Sequence, residues 1–173
     1  MSRSGAVTFK GNPMTLAGKA VEVGKPAPDF TVHYFEGGLK KLCLADLKGK
    51  PTILSVVPSL DTPVCAMQTK KFNDQLGALG DKVNAVTISL DLPFAMNRFC
   101  GAESIKNMRV GSDYQDRNFG ENWGTLIEEL KILSRAIFIL DADCKVVYAE
   151  YVPEVASEPN YEAAMGALQG QVS

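Results

Sequence analysis

The run Pro51-Thr52-Ile53-Leu54-Ser55-Val56-Val57-Pro58-Ser59-Leu60-Asp61-Thr62-Pro63-Val64-Cys65 carries the first structural signal in the chain. Residues 51–57 are β-branched and almost continuously apolar, as a strand covered on both sheet faces must be. From Val64 onward, Gln68, Phe72, Leu76 and Leu79 recur at helical spacing. Pro63 suits the first helical position, and Thr62 or Asp61 suits the cap. Cys65 is thus expected in the first turn of a helix that follows a buried strand. Unpaired N–H groups and the positive end of the helix dipole favour a thiolate there. A buried, inert cysteine is the competing reading.

Working downstream, residues 82–90 form a second buried strand, and Asp91-Leu92-Pro93 closes it and opens a helix around 94–100. Strand, helix, strand and helix in this order predict a right-handed crossover and parallel pairing at the centre of a sheet. Residues 107–125 predict a short strand and a briefly helical excursion, with Trp123 as a core or interface anchor. Leu130 to Leu133 and Ala136 to Leu140 predict one further strand. Lys145 to Ala149 return antiparallel after the turn at Asp141-Ala142-Asp143, which exposes Cys144. A helix over 160–168 closes the chain, with Tyr161, Ala164, Met165 and Leu168 on one face.

Upstream, Val7 to Lys10, the turn Gly11-Asn12-Pro13 and Met14 to Val23 predict an N-terminal β-hairpin packed across one end. Gly24-Lys25-Pro26-Ala27-Pro28 is a stiff connector before a strand at Phe30 to Tyr34. Gly37-Gly38 marks the next turn, and Leu42 to Leu47 lead into the turn Lys48-Gly49-Lys50. His33, the only histidine, is expected at the surface or locally hydrogen-bonded, and Cys43 is expected to pack. The fold class is α/β, with a central mixed sheet flanked by helices.

Its 173 residues suit one domain over 1–173. A 46% hydrophobic and 22% charged composition is that of an ordinary soluble protein, without a run of membrane-spanning length. Residues 1–10 contain no signal-like apolar stretch, so a cytoplasmic location is expected. With 18 basic and 20 acidic residues the net charge is -2, which offers no attraction to nucleic acid. Cysteines at 43, 65, 100 and 144 form no C-x-x-C pair and no zinc spacing, so neither cofactor nor metal is expected and thiol redox chemistry is favoured.

Pro58, Thr62 and Cys65 stand as P-x-x-x-T-x-x-C, the arrangement that marks peroxiredoxins, and Ser59 to Cys65 resemble their thiol peroxidase branch. Four further blocks are similar to that branch: Phe9-Lys10-Gly11-Asn12-Pro13, Gly24 to Phe30, Phe99-Cys100-Gly101-Ala102-Glu103 and Ser134-Arg135-Ala136. The resemblance implies a thioredoxin-like fold and an atypical two-cysteine peroxidase that reduces hydroperoxides. Cys65 would be the peroxidatic cysteine and Cys100 the resolving one, joined in an intramolecular disulfide that thioredoxin reduces. Thr62 would place its hydroxyl near the sulfur, Pro58 would shield the pocket, and Arg135 would supply a fixed cation. A homodimer is also implied. Lowering a thiol pKa raises the thiolate fraction but weakens the nucleophile, so aligned donors must supply most of the rate.

Asn122-Trp123-Gly124, Cys43 and Cys144 depart from the branch pattern. Two other readings share the fold. A thioredoxin-type disulfide oxidoreductase would need a second cysteine close to Cys65, which Cys65-Ala66-Met67-Gln68 lacks. A redox sensor would oxidise at Cys65 without turnover.

Overall fold

In the computed structural model, which describes residues 1–172, eleven strands and four α-helices form two sheets and their covers. The strands are β1 (Ser2–Phe9), β2 (Asn12–Ala17), β3 (Thr31–Phe35), β4 (Leu39–Cys43), β5 (Thr52–Val56), β6 (Asn84–Ser89), β7 (Arg109–Ser112), β8 (Leu126–Ile127), β9 (Ile132–Leu133), β10 (Ala136–Leu140) and β11 (Val146–Tyr151). The helices are α1 (Pro63–Leu76), α2 (Pro93–Ala102), α3 (Asn118–Asn122) and α4 (Tyr161–Gln169).

The large sheet has the order β11-β10-β5-β6-β7-β3-β4. Pairs β5–β6 and β6–β7 are parallel and the rest antiparallel, a mixed sheet with its parallel strands at the centre. Helix α1 connects β5 to β6 and α2 connects β6 to β7, because parallel neighbours require a crossover long enough to return the chain. Side-chain alternation then divides the core. Leu54, Val56, Val86, Ile88 and Phe138 pack with Trp123, Phe119 and Phe30 on one face. Ile53, Ala85, Ile137 and Ile139 meet Phe72 and Leu76 of α1 and Ala164, Met165 and Leu168 of α4 on the other.

Trp123 anchors the first face: its indole N–H donates to the Pro28 carbonyl at 3.0 Å, which satisfies its one polar atom inside the core. Helix α4 starts at its Asn160 cap, whose side chain accepts from the Ala163 N–H.

Three expectations need correction. The stretch 130–140 is two strands in different sheets: β9 pairs with β8, whereas β10 lies between β11 and β5. The break falls at Ser134-Arg135, where the chain changes sheets. Consequently the N-terminal hairpin β1–β2 belongs to a four-stranded second sheet, β1-β2-β8-β9. Cys144 is buried despite its turn position, because its left-handed backbone (φ 63°) turns the thiol into the first core, near the Leu44 carbonyl. His33 is also buried, edge-on to the Tyr114 ring at 6.0 Å between centroids. Cys43 packs as expected, half-buried, with Sγ 3.4 Å from the Thr31 hydroxyl.

Candidate active site

Cys65 occupies the first turn of α1, immediately beyond the loop that leaves the buried strand β5. Pro63 stands at the helix start, where a missing N–H costs nothing. Thr62 takes the extended backbone of the cap, but its hydroxyl donates back to the Ser59 carbonyl at 2.9 Å and caps no helical N–H. The Thr62 side chain is exposed, while Pro58 is buried.

Asp91, which follows β6, anchors this loop. One carboxylate oxygen accepts from Ser59 Oγ at 2.7 Å, and the other accepts from the Leu60 N–H at 2.8 Å and Ser89 Oγ at 2.6 Å. Parallel pairing of β5 with β6 brings the ends of the two strands side by side, which is why a residue 31 positions away from Leu60 can hold the loop.

The Cys65 thiol is fully buried among Val57, Leu60 and Met96, with Phe99 and Val110 against them. Its polar partner is Arg135, itself only 2% exposed, whose Nη2 donates to Cys65 Sγ at 3.4 Å. The other two guanidinium nitrogens also have partners: Nη1 donates to Gln68 Oε1 at 2.9 Å and Nε to the Val155 carbonyl at 2.9 Å. Gln68 donates in turn through Nε2 to Ser55 Oγ at 2.8 Å. A planar guanidinium with two N–H directions fixed has little freedom in the third, so the cation stays aimed at the sulfur. The local dielectric is low and the positive charge has no acidic side chain among its hydrogen-bond partners. This arrangement suits a developing negative charge at the Cys65 sulfur.

Gln68, Ser55, Val155 and Asp91 were not singled out as site residues by sequence reading. For Gln68 a signal existed: it is a polar residue in line with Val64, Phe72 and Leu76 along α1, one turn beyond Cys65. The alternation of β5 puts Ser55 on the same face as Ile53, toward α1. Nothing local in the sequence marks the Val155 carbonyl.

Cys100 lies in the last turn of α2 and packs against the second core, whereas Cys65 belongs to a separate cluster. Both thiols are free. Burial pushes the Cys100 thiol up from 9.0 to about 11, so it holds its proton at neutral pH. Phe99 touches both clusters and lies between the two sites. Leu60 and Phe99, which pack in the cluster around the buried sulfur, also line a cavity of about 470 Å³ with Asp61, Asp91, Arg98 and Glu103. Among the described residues no three His, Cys, Asp or Glu side chains are gathered as a metal ion would require.

The Redoxin family profile matches residues 22–165. A thiol peroxidase of Bacillus subtilis is 52% identical over 166 residues, covering 96% of this chain and 98% of that one. A thiol peroxidase of Streptococcus pneumoniae is 48% identical over 163 residues, covering 94% and 98%. Among solved structures, a peroxiredoxin-like protein from Aquifex aeolicus superimposes with a TM-score of 0.89 at 38% identity, covering 98% of each chain. The thioredoxin-like α/β architecture, the cysteine at the start of α1 and these likenesses converge: the chain belongs to the redoxin family, in its thiol peroxidase branch, and is an enzyme of thiol-dependent peroxide reduction.

Proposed function

We propose that Cys65 is the peroxidatic residue of a single catalytic domain that reduces hydrogen peroxide and organic hydroperoxides. The observation that carries this is the buried Arg135 guanidinium donating to the Cys65 sulfur at 3.4 Å. The thiolate attacks the terminal peroxide oxygen, a sulfur–oxygen bond forms, and the O–O bond breaks. Water or an alcohol leaves once the departing oxygen has taken a proton, and Cys65 remains as a sulfenic acid. Arg135 and the α1 N–H groups stabilise the charge that spreads over the two oxygens. Thr62, with a hydroxyl that can turn from the Ser59 carbonyl, orients the incoming peroxide, and buried Pro58 keeps water away from the sulfur.

Cys100 then attacks the sulfenic sulfur, water leaves, and an intramolecular Cys65–Cys100 disulfide forms. The cysteines sit in separate packing clusters, and a disulfide needs Cα atoms within about 7 Å, so the end of α2 and the start of α1 unwind first. A thioredoxin dithiol returns both cysteines to thiols. The thiol chemistry suits a reducing compartment such as the cytoplasm, and all four cysteines are free. No described helix is long and apolar enough to cross a membrane. The active form is a homodimer by analogy with the family.

Stopped-flow consumption of peroxide with a thioredoxin system tests this reading. Cys65→Ser should abolish turnover. Cys100→Ser should allow one oxidation and then stall, with mass spectrometry showing the Cys65–Cys100 linkage only in the unaltered protein. Undiminished turnover by Cys65→Ser would end the proposal, and oxidation of Cys65 without turnover would identify a redox sensor.

A further inference from the structure

The β1–β2 hairpin packs in its own cluster, with Val7 and Leu16 against Ile127 and Val155. Its end nevertheless reaches toward the site, through main-chain bonds of Thr8 to Pro153 and Val155 and through one carboxylate. Glu154 Oε1 accepts from Thr8 Oγ1 at 3.0 Å and from the Gly11 N–H at 2.9 Å. Its Oε2 accepts from the Lys10 N–H at 3.1 Å and the Ala156 N–H at 2.8 Å. Lys10 (φ 51°) and Gly11 (φ 82°) are consecutive left-handed residues, which turn both N–H groups to one side and make a cradle for an anion. The N–H groups of Ala156 and Gly11 lead in holding this carboxyl well below the usual range, down to about 2, so it is charged wherever the enzyme works.

The neighbour of Glu154 completes the connection. The Val155 N–H donates to the Thr8 carbonyl at 2.8 Å, and the Val155 carbonyl accepts Arg135 Nε at 2.9 Å. Three residues earlier, the Val152 N–H donates to the Arg135 carbonyl at 3.0 Å. The segment 152–155 therefore grips Arg135 by main chain and side chain, and the hairpin tip grips the segment.

We propose that Glu154 is a positioning residue for peroxide reduction: by fastening this segment to the hairpin tip it fixes the Val155 carbonyl that aims the Arg135 guanidinium at Cys65. The inference rests on the reading of Arg135 as the cation at the reacting sulfur. Loss of the carboxylate clamp leaves only the Thr8 main-chain bonds to Pro153 and Val155 to hold the segment, which loosens the Val155 carbonyl, and small misplacements of an aligned donor cost rate steeply.

A double-mutant cycle on the full chain tests it, with the second-order rate constant for hydrogen peroxide measured on reduced protein at a pH high enough to ionise the Cys65 thiol. Glu154→Gln keeps the side-chain size but turns a donor toward the N–H cradle, and should slow oxidation by about tenfold. Added to Arg135→Ala it should cost nothing more, since the group it positions is gone. Thr8→Val, which removes one donor only, should give a smaller loss that also disappears in the Arg135→Ala background. A Glu154→Gln rate equal to that of the unaltered protein, or the same loss with and without Arg135, would overturn the proposal. If Glu154→Gln does not fold, the Thr8→Val cycle decides, and no loss there overturns it. If Arg135→Ala alone keeps its full rate, the reading of Arg135 fails first and the clamp's role falls with it.

Discussion

Raising the pH across the range in which Cys100 titrates separates two ways of closing the disulfide. In the folded helix the thiol is raised from 9.0 to about 11 by burial, which at pH 7 leaves about a hundredfold less thiolate than an unhindered cysteine would have. The more basic thiolate is a better nucleophile, and a slope of about 0.4–0.5 returns roughly six- to tenfold of that. Unwinding the last turn of α2 breaks the bonds from the Glu103 N–H to the Phe99 carbonyl and from the Ile105 N–H to the Cys100 carbonyl, in addition to the helix's own last backbone bonds. At about 1 kcal/mol each, the open form is populated to no more than a few per cent. Near neutral pH both routes are therefore slowed, one by the small thiolate fraction and the other by the small open population, and one rate cannot distinguish them. The pH profile can. After one equivalent of peroxide, rapid quenching with an alkylating agent and peptide mass spectrometry would give the rate of Cys65–Cys100 linkage at each pH. Attack from an unwound segment makes the rate level off near 9.0, the ordinary cysteine value. A rate that keeps climbing tenfold per pH unit toward about 11 would refute unwinding before attack.

Three further substitutions follow from the geometry. Arg135→Ala should lower the peroxide rate constant by about 10²–10³, as loss of an aligned charge-stabilising donor does, and the loss should persist at a pH where Cys65 is fully ionised; full rescue there would show that ionisation alone was at stake. It should also destabilise the fold by about 1–3 kcal/mol for each of Gln68 Oε1 and the Val155 carbonyl left without a donor, read from urea midpoints. Thr62→Val should cut peroxidase activity while moving the melting temperature little, because the exposed hydroxyl makes its single bond to Ser59 at the surface. Asp113, buried and raised from 3.8 to about 6 chiefly by desolvation, binds its proton more tightly folded than unfolded. Its contribution to stability is full below pH 3.8 and is lost as pH rises through about 6, so Asp113→Asn should flatten this part of the stability profile between pH 4 and 7, measured by urea denaturation.

Much of the architecture was legible because it depends on local periodicity. The apolar β5 run, Pro63 at the start of α1, Pro93 at the start of α2 and the apolar stripe of α4 each express a pattern that backbone geometry imposes on short segments. The break at Ser134-Arg135 left no such mark: the flanking residues are apolar on both sides, and only the pairing of β9 with β8 and of β10 with β5 separates them. Burial of His33 and Cys144 was hidden for the same reason, since a turn or an edge pair does not reveal what later elements cover.

At the site, the helix start after a buried strand was enough to single out Cys65, while Thr62, Pro58, Arg135 and Cys100 were nominated by the resemblance of their blocks to the thiol peroxidase branch. The arrangement that gives Arg135 its aim was decided by tertiary structure alone. Gln68 is 67 positions from Arg135, Val155 offers a carbonyl that every residue possesses, and Glu154 reaches Gly11 across 143 positions. A hydrogen bond to a backbone carbonyl carries no side-chain signature. Pairing between distant segments, set by how the two sheets fold against each other, is what brings those groups to one sulfur.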